Sequence, residues 1–168
     1  MNYANLIVAG LVFCLFTLPS AADKPAPVPV DEFQSGMSAF AAGRYSKARE
    51  LWLSLAEHGD PRAQHALARL YEKGRGVERD FKVAAGWFLK AAEQGHADSE
   101  YRLAVGHVYG LGVKRDEAVA LSWLCKAANH GHKRAQKMLA RAYENGRLGL
   151  VADPEQARYW YDKANSGS

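Results

Sequence analysis

The chain has 168 residues, which is enough for one folded domain with a short appendage. Hydrophobic residues make up 48% of it and charged residues 24%, a balance that excludes a wholly disordered chain. The formal net charge of +4 is modest, and the long basic runs of a dedicated nucleic-acid-binding protein are missing, so we expect no nucleic-acid partner.

An uncharged apolar run, residues 6–18, lies near the start of the chain and is followed by small residues up to Ala22. The run is shorter than the roughly 20 apolar residues that span a bilayer, and the small residues suit cleavage after Ala22. This pattern predicts a signal peptide at 1–22, although no Lys or Arg precedes the run, and an uncleaved anchor is the alternative. We expect a periplasmic or secreted protein of a Gram-negative bacterium, with no stable membrane insertion after cleavage.

Residues 23–30 contain three prolines at alternating positions, which favours an extended tether over a packed element. We interpret them as a linker. Residues 31–59 then show the pattern of a helix pair with a short loop, carried by Tyr45 and Trp52 among others. We expect this pair to form the N-terminal capping unit that repeat arrays need.

An internal repeat is the main signal of the sequence. Residues 56–91 align without a gap with residues 92–127, so the period is 36 residues. A third copy follows, with one extra residue in its middle loop. We place the repeat units at 60–95, 96–131 and 132–168.

Each copy reads as a helix, a turn and a second helix. In the first copy, Leu67 and Leu70 fall on one helical face, and Gly74 follows where a left-handed residue would end the helix. Asp80 is the expected N-cap of the second helix, whose apolar face includes Trp87. The third copy has Asp-Pro-Glu at the corresponding point, which is a helix start of the same kind.

This pattern resembles the Sel1-like repeat family, a branch of the tetratricopeptide superfamily. The resemblance covers about residues 33–165, with departures at Ser99 and His107 in the second copy and in the longer loop of the third. It implies an all-α solenoid of helix–turn–helix repeats. The family pattern is carried in the first copy by Ala63, Leu67, Ala68, Tyr71, Gly74, Gly76, Val77, Asp80, Ala84, Trp87, Lys90, Ala91, Ala92 and Gly95.

The resemblance implies a scaffold or adaptor that binds another protein, without catalysis and without a cofactor. A cysteine-rich subset of the family has been linked to β-lactam binding or hydrolysis, but it carries a cysteine pair in each repeat, which this chain lacks. The sequence also has no phosphate-binding loop, zinc-helix motif or nucleophile elbow. An envelope enzyme of β-lactam or peptidoglycan type is the alternative.

Two other residue types, histidine and cysteine, could carry out chemistry. His130 and His132 flank Gly131 at a helix end, where we expect a turn role in preference to metal binding. Cleavage of a signal peptide would leave Cys125 as the only cysteine, and we expect it to be a small buried hydrophobe, with a redox thiol as the alternative.

In tetratricopeptide-like pairs the concave face is lined by the first helix of each repeat, so the resemblance places the partner-binding surface there. Its basic and aromatic side chains would form a groove suited to an acidic or extended segment of a partner. The alternative is an ordinary solvated surface. The predicted partner-binding residues are Arg62, His65, Arg69, Lys73, Tyr101, Tyr109, Arg134, Lys137 and Arg141.

The final helix carries a second candidate surface, an end patch of Tyr159 and Tyr161 on either side of Trp160. Exposed aromatic residues there would allow weak self-association, or assembly of a structural element end to end. The alternative is that the rings pack within their own repeat, which we expect of Trp160.

Overall fold

A computed structural model describes residues 30–166, and within this range it is all helical, as predicted. The predicted signal peptide and residues 23–29 of the predicted linker lie outside the described residues, and Val30 is the first residue of α1. None of the described helices is long and apolar enough to cross a bilayer. The helices are α1 (Val30–Ala41), α2 (Tyr45–Glu57), α3 (Pro61–Lys73), α4 (Phe81–Glu93), α5 (Ala97–Tyr109), α6 (Glu117–Asn129), α7 (Lys133–Asn145) and α8 (Pro154–Ser166).

The helices pack in chain order. Each packs extensively against the helix before it and the helix after it, so α1–α2, α3–α4, α5–α6 and α7–α8 form four successive pairs. This nearest-neighbour packing defines a solenoid, in which each unit depends on the next to cover its apolar side.

The helix ends follow the sequence pattern. The Asp80 carboxylate accepts hydrogen bonds from the backbone N–H groups of Lys82 and Val83 at the start of α4, and Asp153 does the same at the start of α8. Gly74 ends α3 in the left-handed conformation, with φ of 64°. Both N-cap predictions are confirmed, and each such cap stabilises its helix by about 1 kcal/mol.

The core is built from alanines and a few large side chains. Trp52 is 2% exposed and fills the space between α1, α2 and α3. Phe88 and Leu124 are large buried side chains in the core clusters of the next two units. Trp160 is buried in the C-terminal cluster, as predicted, and Cys125 is buried beside it. Small residues let the helices approach closely, and the large rings fill the remaining volume.

The second glycine of each G-x-G turn lets neighbouring units touch. A Cβ atom on Gly76 would lie 2.7 Å from the Cβ of Tyr45, at the start of α2, and a Cβ on Gly112 would collide with the backbone carbonyl of Phe81, at the start of α4. Both glycines also have positive φ. The turn of one unit therefore lies directly on the first turn of a helix in the preceding unit, which only glycine permits.

Substituting Gly112 by Ala tests this contact. We expect Gly112→Ala to lower the free energy of unfolding by about 2–4 kcal/mol, because the methyl group meets backbone that cannot rotate away. Gly149→Ala is the matched control, since Gly149 also has positive φ but a Cβ there meets nothing within 4 Å. It should cost only about 1 kcal/mol. Urea unfolding followed by circular dichroism measures both, and equal losses would contradict the proposed close contact.

A buried polar position recurs in α3, α5 and α7. Gln64 donates from Nε2 to the carbonyl of Ala56 at 3.1 Å, and Gln136 donates likewise to Ala128 at 3.0 Å. The repeat places Glu100 at the same position in α5, fully buried. Its Oε2 lies 2.8 Å from His130 Nδ1, but Oε1 has no hydrogen-bond partner among the described residues. A carboxylate cannot supply the N–H that glutamine gives to the carbonyl of the preceding unit.

Glu100→Gln should therefore stabilise the fold, by about 1 kcal/mol, because the amide can donate to the Ala92 carbonyl while its oxygen still accepts from His130. The reciprocal change Gln136→Glu should destabilise it by about 1–3 kcal/mol, because it removes a buried N–H donor. Thermal unfolding at neutral pH checks both, and a loss of stability in Glu100→Gln would show that the His130 contact outweighs the missing hydrogen bond.

Candidate protein-binding surface

A cleft of about 480 Å³ lies between α5 and α7 and is bordered on one side by the loop after α7. Five of the predicted partner-binding residues line it, and the structure adds apolar side chains and one more arginine. The lining residues are Tyr101, Val108, Tyr109, Arg134, Lys137, Met138, Arg141, Ala142, Arg147 and Leu148.

The aromatic and apolar side chains of the cleft differ in exposure. The Tyr101 ring is half-buried and stacks on His132, with 4.5 Å between ring centroids and 21° between ring planes. Tyr109 is 68% exposed. Met138 and Leu148 pack against the C-terminal core cluster and line the cleft as well, so the cleft has an apolar base.

The charged side chains of the cleft are all basic. Arg134, Lys137, Arg141 and Arg147 are exposed, and none of them forms an ion pair within residues 30–166. No carboxylate of the described residues lines the cleft. Four cations without a neutralising partner around a partly apolar cleft create a local positive potential that attracts anionic groups.

The predicted basic residues Arg69 and Lys73 of the first repeat differ from those of the cleft because a carboxylate lies near them. Glu72, on α3, lies 3.5 Å from Arg69 Nε and 3.8 Å from Lys73 Nζ, and it accepts a hydrogen bond from Arg102 on α5 at 3.2 Å. One half-buried carboxylate thus pairs with cations on two units. Arg69 and Lys73 therefore each lie beside a carboxylate, whereas the cations that line the cleft form no ion pair with any described residue.

Arg62 is also held by its own fold. Its guanidinium makes two hydrogen bonds to the Asp60 carboxylate, at 3.1 and 2.6 Å, and lies 4.8 Å above the centroid of the Phe33 ring. Burial alone would raise the pKa of Asp60, but the hydrogen bonds from Arg62 and from the backbone of Ala63 hold it below its ordinary value. Arg62 therefore ties α1 to the start of α3.

His65 lies in the junction between units, not on the open surface. Its ring stacks on His96 with 4.6 Å between centroids, and its Nδ1 lies 2.9 Å from the hydroxyl of Ser99. Burial, reinforced by the nearby His96 and by the arginines on α3 and α5, lowers the pKa of His65 from 6.5 to about 3. The sequence periodicity places His65 among the predicted partner-binding positions of α3. It does not indicate that the His96 ring covers the His65 ring.

The buried His65 makes the stability depend on pH. The folded protein binds this proton only near pH 3, whereas the unfolded chain binds it near 6.5, so acidification between these values favours unfolding. We expect the free energy of unfolding to fall by up to about 1.4 kcal/mol for each pH unit below 6.5. In His65→Tyr, which copies the stacked Tyr101, the slope measured by urea unfolding at pH 7, 5.5 and 4.5 should be smaller. Equal slopes would exclude His65 as the source.

Two of the other histidines act as helix N-caps. His96 and His132 are the N-caps of α5 and α7, and the Nδ1 of each accepts a backbone hydrogen bond, from Ser99 and Ala135 respectively. These two rings therefore stabilise the start of the helix that follows them, and not the end of the helix before them. Across residues 30–166, no group of three or more His, Cys, Asp or Glu side chains is arranged to hold a metal ion.

The predicted end patch divides into two parts. Tyr161 is half-buried, packs against the C-terminal core and donates to Glu144 at 3.2 Å, whereas Tyr159 is 52% exposed. Three positions that are buried and apolar in α6 are polar in α8, and two of them form an ion pair with 3.9 Å between Arg158 Nε and Asp162 Oδ2. The replaced positions are Leu121, Cys125 and Ala128 in α6 and, in the same order, Arg158, Asp162 and Asn165 in α8.

The fold and the surface together define a helical repeat solenoid with a basic cleft between two repeats. The sequence model described as "Sel1 repeat" matches residues 44–60, 61–96, 97–132 and 133–167, so the chain belongs to the Sel1 repeat family. The match at 44–60 shows that α2, within the pair predicted as a capping unit, also carries the family pattern. Sel1 repeats typically mediate protein–protein interactions.

Solved structures support the same fold. The chain is similar to a Sel1 repeat protein from Oxalobacter formigenes, at 30% identity and a TM-score of 0.74, over 79% of this chain and 55% of that one. It is also similar to c5321, a protective antigen present in uropathogenic Escherichia coli strains that displays an SLR fold. That match has 27% identity and a TM-score of 0.50, over 82% of this chain and 38% of the other. The chain thus spans about half or less of these relatives. No curated protein gives a significant match.

Five lining residues are not among the predicted partner-binding residues: Val108, Met138, Ala142, Arg147 and Leu148. The extra residue in the loop of the third copy was visible in the sequence. What the sequence did not show is that this loop borders the cleft.

Proposed function

We propose that this protein is a non-catalytic adaptor that binds an acidic or extended segment of another protein in the cleft between α5 and α7. The observation that carries the proposal is the group of four cations around the cleft, with no carboxylate among the lining residues and no ion pair to any described residue. The three arginines can bind carboxylates through two parallel hydrogen bonds, and Tyr109 offers a rigid apolar surface.

The site differs from the one that the sequence suggested. Arg62, His65, Arg69 and Lys73 are engaged within the fold, so we restrict the proposed surface to the second and third repeats. Its residues from the original set are Tyr101, Tyr109, Arg134, Lys137 and Arg141.

We also propose that the protein is exported to the periplasm or secreted. The support is in the sequence, where an apolar run at residues 6–18 precedes small residues ending at Ala22. An acidic partner would then be a protein of the envelope or the exterior.

The arrangement of the side chains gives no support to the enzyme alternative. Ser99 Oγ lies 2.9 Å from His65 Nδ1 and 3.1 Å from His96 Nδ1, a combination that in an open site would suggest a nucleophile and base. Ser99 is fully buried, however, so no substrate can reach its hydroxyl. The self-association hypothesis has less support than binding in the cleft, because α8 presents an ion pair where α6 presents apolar side chains.

Charge reversal in the cleft tests the proposed function. The partner is first captured by crosslinking in the producing cells, and its affinity for the purified adaptor is then measured by titration calorimetry. Lys137→Glu with Arg141→Glu should weaken binding at least about tenfold, and raising the salt from about 0.05 to 0.3 M should weaken wild-type binding, because exposed charges are screened.

The matched control is Arg44→Glu with Lys82→Glu, which changes the net charge equally at exposed positions outside the cleft. It should bind the partner with wild-type affinity. Equal losses in the two double variants would show that net charge, and not the cleft, determines binding.

A further inference from the structure

The loop after α7 differs from its two counterparts in the contacts that it makes. In the first two repeats, the second glycine of the turn, Gly76 or Gly112, packs on the start of a helix in the preceding unit. In the third repeat the corresponding glycine is Gly149, and a Cβ there would meet nothing within 4 Å. The glycine contact that holds the other turns against the stack is therefore missing from the third.

Leu148, in this longer loop, has φ of 57° and is the only non-glycine residue with positive φ among the described residues. A bulky side chain in this conformation costs roughly 1–3 kcal/mol, and it persists only where the surroundings hold it in place. The Leu148 side chain packs against the C-terminal core and lines the cleft beside Met138. A leucine thus stands where glycine would be conformationally easier, and it contributes apolar surface to the cleft.

The cations lie around this apolar base. Arg141 comes from α7 and Arg147 from the loop, and both are exposed, line the cleft and form no ion pair within residues 30–166. A ligand that satisfies all of these groups needs an apolar side chain for Leu148 and Met138 and acidic groups beside it for the arginines. A uniformly acidic segment would leave the apolar base without a partner.

We propose that Leu148 and Arg147 form a specificity element that selects a peptide segment with a large apolar residue flanked by acidic residues. This inference rests on the proposed function and narrows it to one class of partner segment. The apolar residue contacts Leu148 and Met138, and the flanking carboxylates bind Arg141 and Arg147. Both parts of this element lie in the loop of the third repeat, which is one residue longer than its counterparts.

Two fluorescein-labelled peptides test the selection, Asp-Glu-Phe-Glu-Asp and Asp-Glu-Gly-Glu-Asp. They carry the same charge, so fluorescence anisotropy with the full chain reports the contribution of the apolar residue alone. We expect the wild type to bind the Phe peptide about tenfold more tightly, since burying a large apolar side chain is worth at least that factor. Comparable affinities for the two peptides would overturn the inference.

Substitutions in the loop test whether Leu148 is responsible for the preference for the Phe peptide. Leu148→Gly removes the side chain while accepting the positive φ, so the protein should stay folded by circular dichroism and lose the preference for Phe. Arg147→Ser should weaken both peptides by a similar factor. Val151→Ser is the matched control, because Val151 belongs to the same loop, is 85% exposed and does not line the cleft. Retention of the Phe preference in Leu148→Gly, or its loss in Val151→Ser, would refute the role of Leu148.

The design separates two kinds of failure. If neither peptide binds the wild type more tightly than it binds the Lys137→Glu, Arg141→Glu variant, then acidic-peptide binding in the cleft fails, and the inference fails with it. If both bind in a manner that depends on Lys137 and Arg141 but show no Phe preference, only the specificity element is refuted. Tighter binding of phosphatidylserine vesicles or of poly(U) RNA than of the Phe peptide would replace the peptide with a membrane or RNA ligand and overturn the inference.

Discussion

Close approach between successive helix pairs is the constraint on which this structure depends. A pair of 13-residue helices cannot cover its own apolar sides, so each pair must bury one side against the next. Alanines at the junctions permit the approach, and Gly76 and Gly112 bring the turns onto the preceding helices. Where the junction also buries a polar side chain, as at Gln64, the amide donates a hydrogen bond to a carbonyl of the preceding unit.

The same constraint explains why the positive charge is distributed unevenly. At the junction of α3 and α5, cations from two units must lie close together, and Glu72 lies among them. At the surface shared by α5 and α7, Asp98 instead lies 3.0 Å from His132 Nε2, the N-cap of α7. Within residues 30–166 the basic residues of α7 form no ion pair, and the cleft keeps its positive charge.

Much of the fold follows from local features of the sequence. The helix starts at capping aspartates and the helix ends at left-handed glycines depend on residues a few positions apart, and the structure agrees with the prediction. The site was less predictable because its properties depend on residues about 30 positions apart. A helical wheel places His65 and Arg69 outward, but it cannot show that His96 covers the first or that Glu72 pairs with the second. The direction of the loop at Leu148 follows from a backbone conformation that leucine seldom adopts, so no propensity rule indicates it.

The loose position of Gly149 has a consequence for how such a protein can change over evolutionary time. A turn that lies against its neighbour cannot gain or lose a residue without shifting two helix pairs, so length variation at Gly76 or Gly112 would be selected against. The loop at 147–152 lacks this glycine contact, so a change in it would affect mainly the C-terminal core against which Leu148 packs. Innovation in what the protein recognises can therefore accumulate in this short stretch while the rest of the array is inherited unchanged.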